Sequence, residues 1–159
     1  MLHRQHIAFM VLLGLAAAFV LGGCCSMGMG SCSKTDTIQL VGAAQLNACG
    51  DDHKSHPVAV RFYPLKESDV FLASSFEEIW SDAAGVLGGD LVDDYREVFL
   101  APSSEMSTPL VRQDEVTAVG MLINFCAEKD INSRRHLFVL TKDSLEKTVN
   151  LQGINFSVQ

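Results

Sequence analysis

The chain has 159 residues, 48% of them hydrophobic, and a formal net charge of −7. This length suits one domain, and a domain of this size buries about two thirds of the surface that its unfolded chain exposes. Because acidic residues outnumber basic ones and no basic cluster larger than Arg134-Arg135 occurs, the composition argues against a nucleic-acid-binding protein.

Residues 1–23 have the pattern of a secretory signal peptide. A weakly basic start with His3 and Arg4 precedes an apolar run over residues 7–21. The run has 15 residues, fewer than the roughly 20 that a membrane-spanning helix needs. It ends in Leu21-Gly22-Gly23-Cys24, which resembles the lipobox of bacterial lipoproteins. We therefore predict cleavage before Cys24, with an uncleaved signal anchor as the alternative.

Cys24 is the predicted lipid-bearing residue, because its thiol can take a diacylglycerol and its freed amino group an acyl chain. Two or more acyl chains hold a protein stably on a bilayer. The next position is Cys25 and not Asp. By resemblance to bacterial lipoproteins, this predicts sorting to the outer membrane with the domain on its periplasmic face. Apart from this covalent lipid, no cofactor is expected.

Residues 24–36 form the predicted lipidated N-terminus and flexible tether, because most of residues 26–33 are small and show no periodic pattern. Soft Cu(I) ligation is an alternative for its sulfur side chains, Cys25, Met27, Met29 and Cys32. The periplasm permits disulfides, and Cys32 with Cys49 is the candidate pair. Cys126 lies in an apolar run and is expected to be a small core residue.

Residues 37–41 alternate between polar and apolar and predict the first strand. The long loop predicted over residues 42–56 has a length that is often functional. It carries side chains able to ligate a metal: Cys49, Asp51, Asp52, His53 and His56. Their spacing is not standard for zinc, so a solvated polar loop is the favoured interpretation. A small-ligand or metal site through residues 49–56 is the alternative.

Residues 58–63 are apolar and β-branched and predict the second strand. Apolar side chains then recur at helical spacing and predict one amphipathic helix over residues 75–87, with this stripe: Phe76, Ile79, Trp80, Ala83, Ala84 and Leu87. Ser75 and Glu78 form a capping-box signature at its start. Such a helix needs a sheet against which to bury Trp80.

Further strands are predicted at residues 95–100, 107–111, 116–126, 136–140, 149–151 and 154–158. The segment 116–126 would be central, with one face formed by Val119, Met121, Ile123 and Phe125. Seven or eight short strands with one principal helix predict a mainly β fold, a β-sandwich over residues 37–159.

Several motifs that follow the lipobox in the sequence, taken in order, resemble those of a known family. They are the run Pro57-Val58-Ala59-Val60-Arg61-Phe62-Tyr63-Pro64-Leu65-Lys66, the motifs Ser75-Phe76 and Trp80-Ser81-Asp82, the run Glu97-Val98-Phe99-Leu100-Ala101-Pro102, and the run Val119-Gly120-Met121-Leu122-Ile123-Asn124-Phe125. Together they resemble the outer-membrane lipoprotein of type VI secretion systems, the TssJ, SciN or VasD-like family. The chain departs from the family at Ser103, Cys126 and Arg134, where Gly, Arg and Trp are usual.

The resemblance implies a transthyretin-like β-sandwich that Cys24 tethers to the inner leaflet of the outer membrane. It implies a structural role, in which the domain binds the periplasmic C-terminal region of the large inner-membrane subunit of the secretion complex. It also implies that the loop between the first two strands makes this contact, here with Asn47, Ala48, Cys49, Gly50, Asp51, Asp52 and His53 as candidates. No nucleic acid and no small-molecule substrate are implied.

The sequence carries no motif of a known class of catalytic site. It lacks a Gly-x-Ser-x-Gly elbow, a His-Glu-x-x-His helix, a P-loop and a dinucleotide fingerprint. Cys126 and His136 are the one candidate nucleophile and base, and a buried cysteine beside an unrelated edge histidine is the favoured interpretation. We therefore predict a protein that is not an enzyme.

Overall fold

A computed structural model describes residues 35–49, 54–127 and 133–159 of the chain. The predicted signal peptide, Cys24, Cys32 and the tether as far as residue 34 lie outside the described residues. Within them, eight strands, three short α-helices and one 3-10 turn follow one another, so the predicted mainly β fold is confirmed. None of these helices is long and apolar enough to cross a membrane.

The first sheet contains four strands in the order β4-β1-β7-β8. Their bounds are β1 Thr35–Leu46, β4 Glu105–Val111, β7 Glu146–Gly153 and β8 Asn155–Val158. β1 pairs antiparallel with β4 on one side and parallel with β7 on the other. β7 and β8 form the antiparallel hairpin that the sequence predicted at the end of the chain.

The second sheet also contains four strands, in the order β3-β2-β5-β6, and all of its pairs are antiparallel. Their bounds are β2 Val58–Leu65, β3 Arg96–Leu100, β5 Ala118–Asn124 and β6 Arg135–Val139. β5 is buried along its whole length except at Asn124. The most apolar predicted strand is therefore central, as expected.

The two sheets pack face to face on one hydrophobic core. The predicted inward face of β5 is confirmed, since Val119, Met121, Ile123 and Phe125 all belong to this core. Facing side chains come from both sheets, among them Ile38, Leu40, Val60, Phe62, Val149 and Leu151. Burial of this apolar surface, at about 25 cal/mol per Å², is the main force that holds the sheets together.

A second hydrophobic cluster lies between the outer face of the second sheet and three short helices, α1 (Asp69–Ala73), α2 (Phe76–Ser81) and α3 (Ala83–Leu87). The 3-10 turn Gly88–Asp90 follows them. The sheet contributes Tyr63, Leu65, Ala118 and Leu122, and the helices contribute Phe71, Phe76, Ile79, Ala83 and Leu87. The helical layer therefore covers the outer face of the second sheet over the end of β2 and over β5.

The single helix predicted over residues 75–87 is wrong, because Asp82 interrupts it. Asp82 adopts φ −147° and ψ 70°, and its carboxylate accepts a hydrogen bond from the Gly85 N–H at 2.9 Å. This side chain thereby caps a new helix, α3, in the way that Asp favours. The predicted capping box of Ser75 and Glu78 is confirmed, whereas Trp80 is only half-buried.

β1 is longer at both ends than the predicted strand, and the predicted loop over residues 42–56 is correspondingly shorter. β1 pairs with β7 from Thr37 to Gly42 and again at Leu46, with an irregularity between the last two. The Gly42 N–H also donates to the Ser104 carbonyl at 2.8 Å. These long-range pairings leave only residues 47–57 as the β1–β2 connection.

The strand registers place the connections of the sandwich at two opposite ends. β1 begins beside β4 and the start of β7, and it finishes at Leu46 beside Gly153. The connections 47–57, 101–104, 125–134 and 153–154 share that second end, which we call the loop end. The start of β1 and the connections 112–117 and 140–145 share the opposite end, which we call the entry end.

Candidate partner-binding end of the sandwich

Asn47 is the first residue of the β1–β2 connection, and it is only 5% exposed. Its φ of 50° lies in the left-handed region, which Asn tolerates better than most residues. Its side-chain Nδ2 donates to the Pro57 carbonyl at 3.1 Å, and its Oδ1 accepts from the Cys126 N–H at 2.8 Å. Asn47 therefore joins both ends of the connection to the segment that follows β5.

Backbone and hydroxyl hydrogen bonds reinforce this attachment. The Asn47 N–H donates to the Gly153 carbonyl at 2.7 Å, and the His56 N–H donates to the Leu46 carbonyl at 3.1 Å. The Ser55 hydroxyl donates to the Ala44 carbonyl at 2.7 Å. The two ends of the connection are thus fixed against β1 and against the turn between β7 and β8.

A disulfide joins Cys49 to Cys126, with 6.0 Å between their Cα atoms. The predicted pairing of Cys32 with Cys49 is therefore wrong, because the Cys49 sulfur is already bonded. Cys126 is exposed and is not the small core residue that its apolar neighbours suggested. It lies just past the end of β5, where the chain leaves the core and can meet the β1–β2 connection.

The predicted contact residues differ in burial, and some of them lie outside the described residues. Asn47, one of the candidate contact residues, is buried. Ala48 and Cys49 are half-buried. Residues 50–53, which include the candidates Gly50, Asp51, Asp52 and His53, lie outside the described residues. The tendency of Asn to adopt positive φ is the one sequence signal that could have revealed the structural role of Asn47.

The disulfide occupies both cysteines that a metal site or a catalytic pair would need. Cys49 cannot ligate a metal as a thiolate, and Cys126 cannot act as a nucleophile, while the disulfide is intact. His136 instead contacts the rings of Phe138 and Phe156, with centroid distances of 4.6 and 6.1 Å. Among the described residues, no group of three or more His, Cys, Asp or Glu is placed to hold a metal ion.

Arg61 lies on the outer face of β2, as strand alternation predicts, and its Nε forms an ion pair with Glu97 at 2.6 Å. Its guanidinium lies 3.8 Å from the ring centroid of Trp80 and 4.3 Å from that of Tyr95. Burial disfavours the cation, but hydrogen bonding, to Glu97 first, outweighs burial and raises the pKa of Arg61. Arg61 therefore fastens α2 and β3 to β2.

A cavity of about 170 Å³ opens between the sheets, where β3 and β4 form neighbouring edges. Its apolar walls are formed by Phe62, Pro64, Leu110, Val116, Val119 and Leu140. Arg96 spans the two edges by donating to the Pro109 carbonyl at 2.6 Å. The cavity lies toward the entry end, so it does not provide the ligand site that the alternative interpretation placed at residues 49–56.

Comparison with known proteins identifies one matching family. A family model described as the type VI secretion lipoprotein (VasD, EvfM, TssJ) matches residues 34–153. This range covers every strand of the sandwich except β8. No curated protein sequence matches the chain.

Solved structures with the same fold come from several bacteria. The crystal structure of the type VI lipoprotein TssJ1 from Pseudomonas aeruginosa has a TM-score of 0.71 and 21% identity, over 80% of this chain and 95% of that chain. Serratia marcescens Lip, described as a membrane bound component of the type VI secretion system, has a TM-score of 0.67 and 17% identity, over 80% and 96%. A chain in a structure described as the TssM C-terminal domain from EAEC has a TM-score of 0.66 and 17% identity, over 79% and 98%.

Proposed function

Because the chain belongs to the type VI secretion lipoprotein family, we propose that it anchors the large inner-membrane subunit of a type VI secretion complex to the outer membrane. In this role, the lipid on Cys24 inserts into the inner leaflet of the outer membrane. The loop end of the sandwich binds the periplasmic C-terminal region of the large subunit. The protein acts as a structural component and has no catalytic role.

The observation that supports this role most is the placement of the two ends of β1. This strand has 12 residues and therefore spans about 40 Å. The lipid-bearing Cys24 precedes Thr35 in the chain, whereas the β1–β2 connection leaves the sandwich at the other end of β1. Thus, the surface that the family resemblance implicates in binding lies at the end of the domain opposite the point where the tether joins it.

The similar proteins support the membrane location and the class of partner. Serratia marcescens Lip is described as membrane bound, and another similar chain belongs to a structure described as the TssM C-terminal domain. On these likenesses, we propose that this chain contacts a large subunit of the same class. The residues that we place in the contact are Ala48 and residues 50–53, whereas we assign Asn47 and Cys49 to the structure of the connection.

Substitution of Cys24 tests the lipid anchor. The Cys24→Ser variant should incorporate no labelled palmitate and should leave the membrane fraction, because no thiol remains at the predicted acylation position. The neighbouring variant Cys25→Ser serves as the control and should stay membrane-bound. Palmitate incorporation by Cys24→Ser equal to that of the wild type would refute the assignment.

The partner contact is tested by a triple variant, Asp51→Ser, Asp52→Ser and His53→Ser, which leaves Asn47 and Cys49 in place. It should remain lipidated and folded but should no longer co-purify with the periplasmic domain of the large subunit. The matched control, Asp114→Ser with Glu115→Ser, removes the same number of acidic charges at the entry end and should co-purify normally. Normal co-purification of the triple variant would exclude residues 51–53 from the contact.

A further inference from the structure

We infer that the Cys49–Cys126 disulfide and the side chain of Asn47 form a clamp that positions the β1–β2 connection for its partner. The inference rests on the proposed function and extends it, since it assigns binding strength to residues that need not touch the partner. It predicts that opening the disulfide weakens partner binding while the sandwich stays folded.

The first observation is that the clamp joins two connections that belong to different sheets. Asn47 and Cys49 follow β1 of the first sheet, and Cys126 follows β5 of the second sheet. The disulfide and the hydrogen bond from the Cys126 N–H to Asn47 Oδ1, at 2.8 Å, are both made by Cys126, and their partners Cys49 and Asn47 are two residues apart. Each sulfur and its neighbouring polar bond therefore restrain the same short stretch of chain.

The second observation is that these contacts lie outside the hydrophobic interior. Cys126 is exposed and Cys49 is half-buried, and neither residue belongs to either hydrophobic cluster. β1 pairs with a strand on each side, as does β5. The sheets therefore have their own hydrogen bonds and core, and the clamp restrains the connection that leaves them.

The clamp would lower the conformational entropy that the connection loses when a partner binds. A connection that is already held near its bound conformation loses less conformational entropy when a partner binds, so its affinity is higher. Without the clamp, the described ends of the connection would keep the contacts of Ser55 and His56 and the backbone bond of Asn47. Most of the lost affinity should appear as a faster dissociation rate, because variants of one interface differ mainly in their dissociation rates.

The chemistry that opens the clamp is thiol–disulfide exchange with a dithiol reductant such as dithiothreitol. The reductant gives two electrons and two protons to the Cys49–Cys126 bond, which becomes two thiols, and the reductant closes to its cyclic disulfide. To make this the only exchange, the experiment uses the full lipidated chain with Cys25→Ser and Cys32→Ser. The binding probe is the purified periplasmic C-terminal domain of the cognate large subunit.

In this background, reduction should weaken binding of the probe by about tenfold or more. The Cys49→Ser and Cys126→Ser double variant should bind with the same reduced affinity and should not respond to the reductant. Circular dichroism at the binding temperature should show the sandwich still folded in each case. An affinity that is unchanged by reduction would overturn the inference.

Asn47→Gly provides a second test that leaves the disulfide intact, because a disulfide between residues 77 apart also stabilises the fold. Glycine tolerates the positive φ of position 47 but removes the side-chain bonds to Pro57 and Cys126. Asn47→Gly should bind severalfold more weakly than the wild type at a temperature where both are folded. Equal binding by Asn47→Gly would remove Asn47 from the clamp.

The outcomes separate the clamp from the function on which it rests. If the oxidised protein binds and the triple variant at residues 51–53 does not, but reduction has no effect, the proposed contact stands and the clamp is refuted. If the oxidised protein does not bind the probe at all, the proposed function fails and the clamp fails with it.

Discussion

Tyr63 combines a buried aromatic ring with a buried hydroxyl group, and the two contribute differently to stability. The ring is fully buried and lies 5.8 Å from the Phe71 ring centroid and 5.5 Å from that of Tyr95. Its hydroxyl has no hydrogen-bond partner in the part of the chain that the structure describes. Burial raises the pKa of Tyr63 to about 12, so the hydroxyl stays neutral at physiological pH.

Replacing Tyr63 by Phe should therefore change the free energy of unfolding only a little. Removal of an unsatisfied hydroxyl relieves its desolvation penalty, so Tyr63→Phe should have a free energy of unfolding within about 1 kcal/mol of the wild type, or higher. Urea denaturation measures this change, with Tyr95→Phe as the partly exposed control. A loss above about 2 kcal/mol would mean that the hydroxyl has a partner.

His136 makes the stability of the sandwich depend on pH. It is half-buried against Phe138 and Phe156, and burial first, with Lys147 second, lowers its pKa below the ordinary value of 6.5. Above pH 6.5 the histidine is neutral both in the folded and in the unfolded chain, so it imposes no penalty. As the pH falls from 6.5 to the folded pKa, the unfolded chain binds more protons and stability falls.

The variant His136→Gln should lose this part of the pH dependence. Its unfolding midpoint should fall less than that of the wild type when melting curves are compared at pH 7.5 and pH 5.5. His56→Gln, at an exposed position, serves as the control and should follow the wild type. Identical slopes for His136→Gln and the wild type would exclude His136 as the source.

Local residue patterns were predictable where their partners are near in sequence. Ser75 and Glu78 are three residues apart, and their capping box is present. It lowers the pKa of the Glu78 carboxyl, mainly through the Ser75 backbone N–H. Asn47 instead bonds to Cys126, 79 residues away. Such a partner cannot be found from local spacing, so the sequence predicted Asn47 only as a candidate contact residue.

Among the elements, α1 depends on a glycine in the strand beneath it. A Cβ atom at Gly120 in β5 would lie 2.6 to 2.9 Å from three ring carbons of Phe71, which α1 buries against the sheet. Glycine at this position therefore lets the far end of the aromatic ring lie against the strand. Local spacing cannot reveal this contact, because Phe71 and Gly120 lie far apart in the sequence.

Gly120→Ala should therefore destabilise the protein by about 1–3 kcal/mol, since the ring or the helix must move to admit the methyl group. The matched control is Gly89→Ala, because nothing lies within 4 Å of a Cβ atom at that position. Chemical denaturation of both variants measures the difference. Equal stability of the two variants would show that α1 can shift at no cost.

Periodicity predicted the existence of most elements but not their ends. The alternation of β2 and the apolar run of β5 were correctly assigned. β1 extends to Leu46 because it pairs with β7 and β4, which lie far along the chain. The predicted helix is interrupted because Asp82 caps a new one. A stripe of apolar residues continues across such a break, so the stripe alone could not show it.

Over the whole molecule, the entry end is fastened by a buried ion pair. Asp36 is 1% exposed, and its carboxylate accepts from Arg112 at 2.7 and 3.0 Å and from the Leu145 N–H at 2.7 Å. Arg112 also donates to the carbonyls of Thr141 and Asp143. One ion pair therefore joins the start of β1 to the connections 112–117 and 140–145.

Asp36→Ala should destabilise the protein by about 3–5 kcal/mol, because it leaves the guanidinium of Arg112 partly buried without its carboxylate. Glu115→Ala is the matched control, since Glu115 faces Lys66 at 3.9 Å with both side chains more than half exposed. That surface pair should contribute less than about 1 kcal/mol. A small loss for Asp36→Ala would mean that the other contacts of Arg112 suffice.

The overall class of fold was predictable from strand number, and the family resemblance agreed with it. The strand order within each sheet was not predictable, because it depends on pairings such as the parallel one between β1 and β7. The pairing of Cys49 with Cys126 was not predictable for the same reason. Sequence spacing alone placed Cys32 nearer to Cys49, whereas the topology brings Cys126 beside it.

The length and pairing of β1 determine how the domain would carry mechanical load. A pull between a membrane-embedded lipid and a bound partner would enter β1 near Thr35 and leave it near Leu46. Such tension runs along the strand, while the bonds to β4 and β7 cross it on both sides. Because the load would enter and leave the same strand, the covalent backbone of β1 would carry it, and the bonds to the neighbouring strands would not be pulled apart. In the proposed anchoring role, β1 would be the strand that carries the load between the tether and the partner.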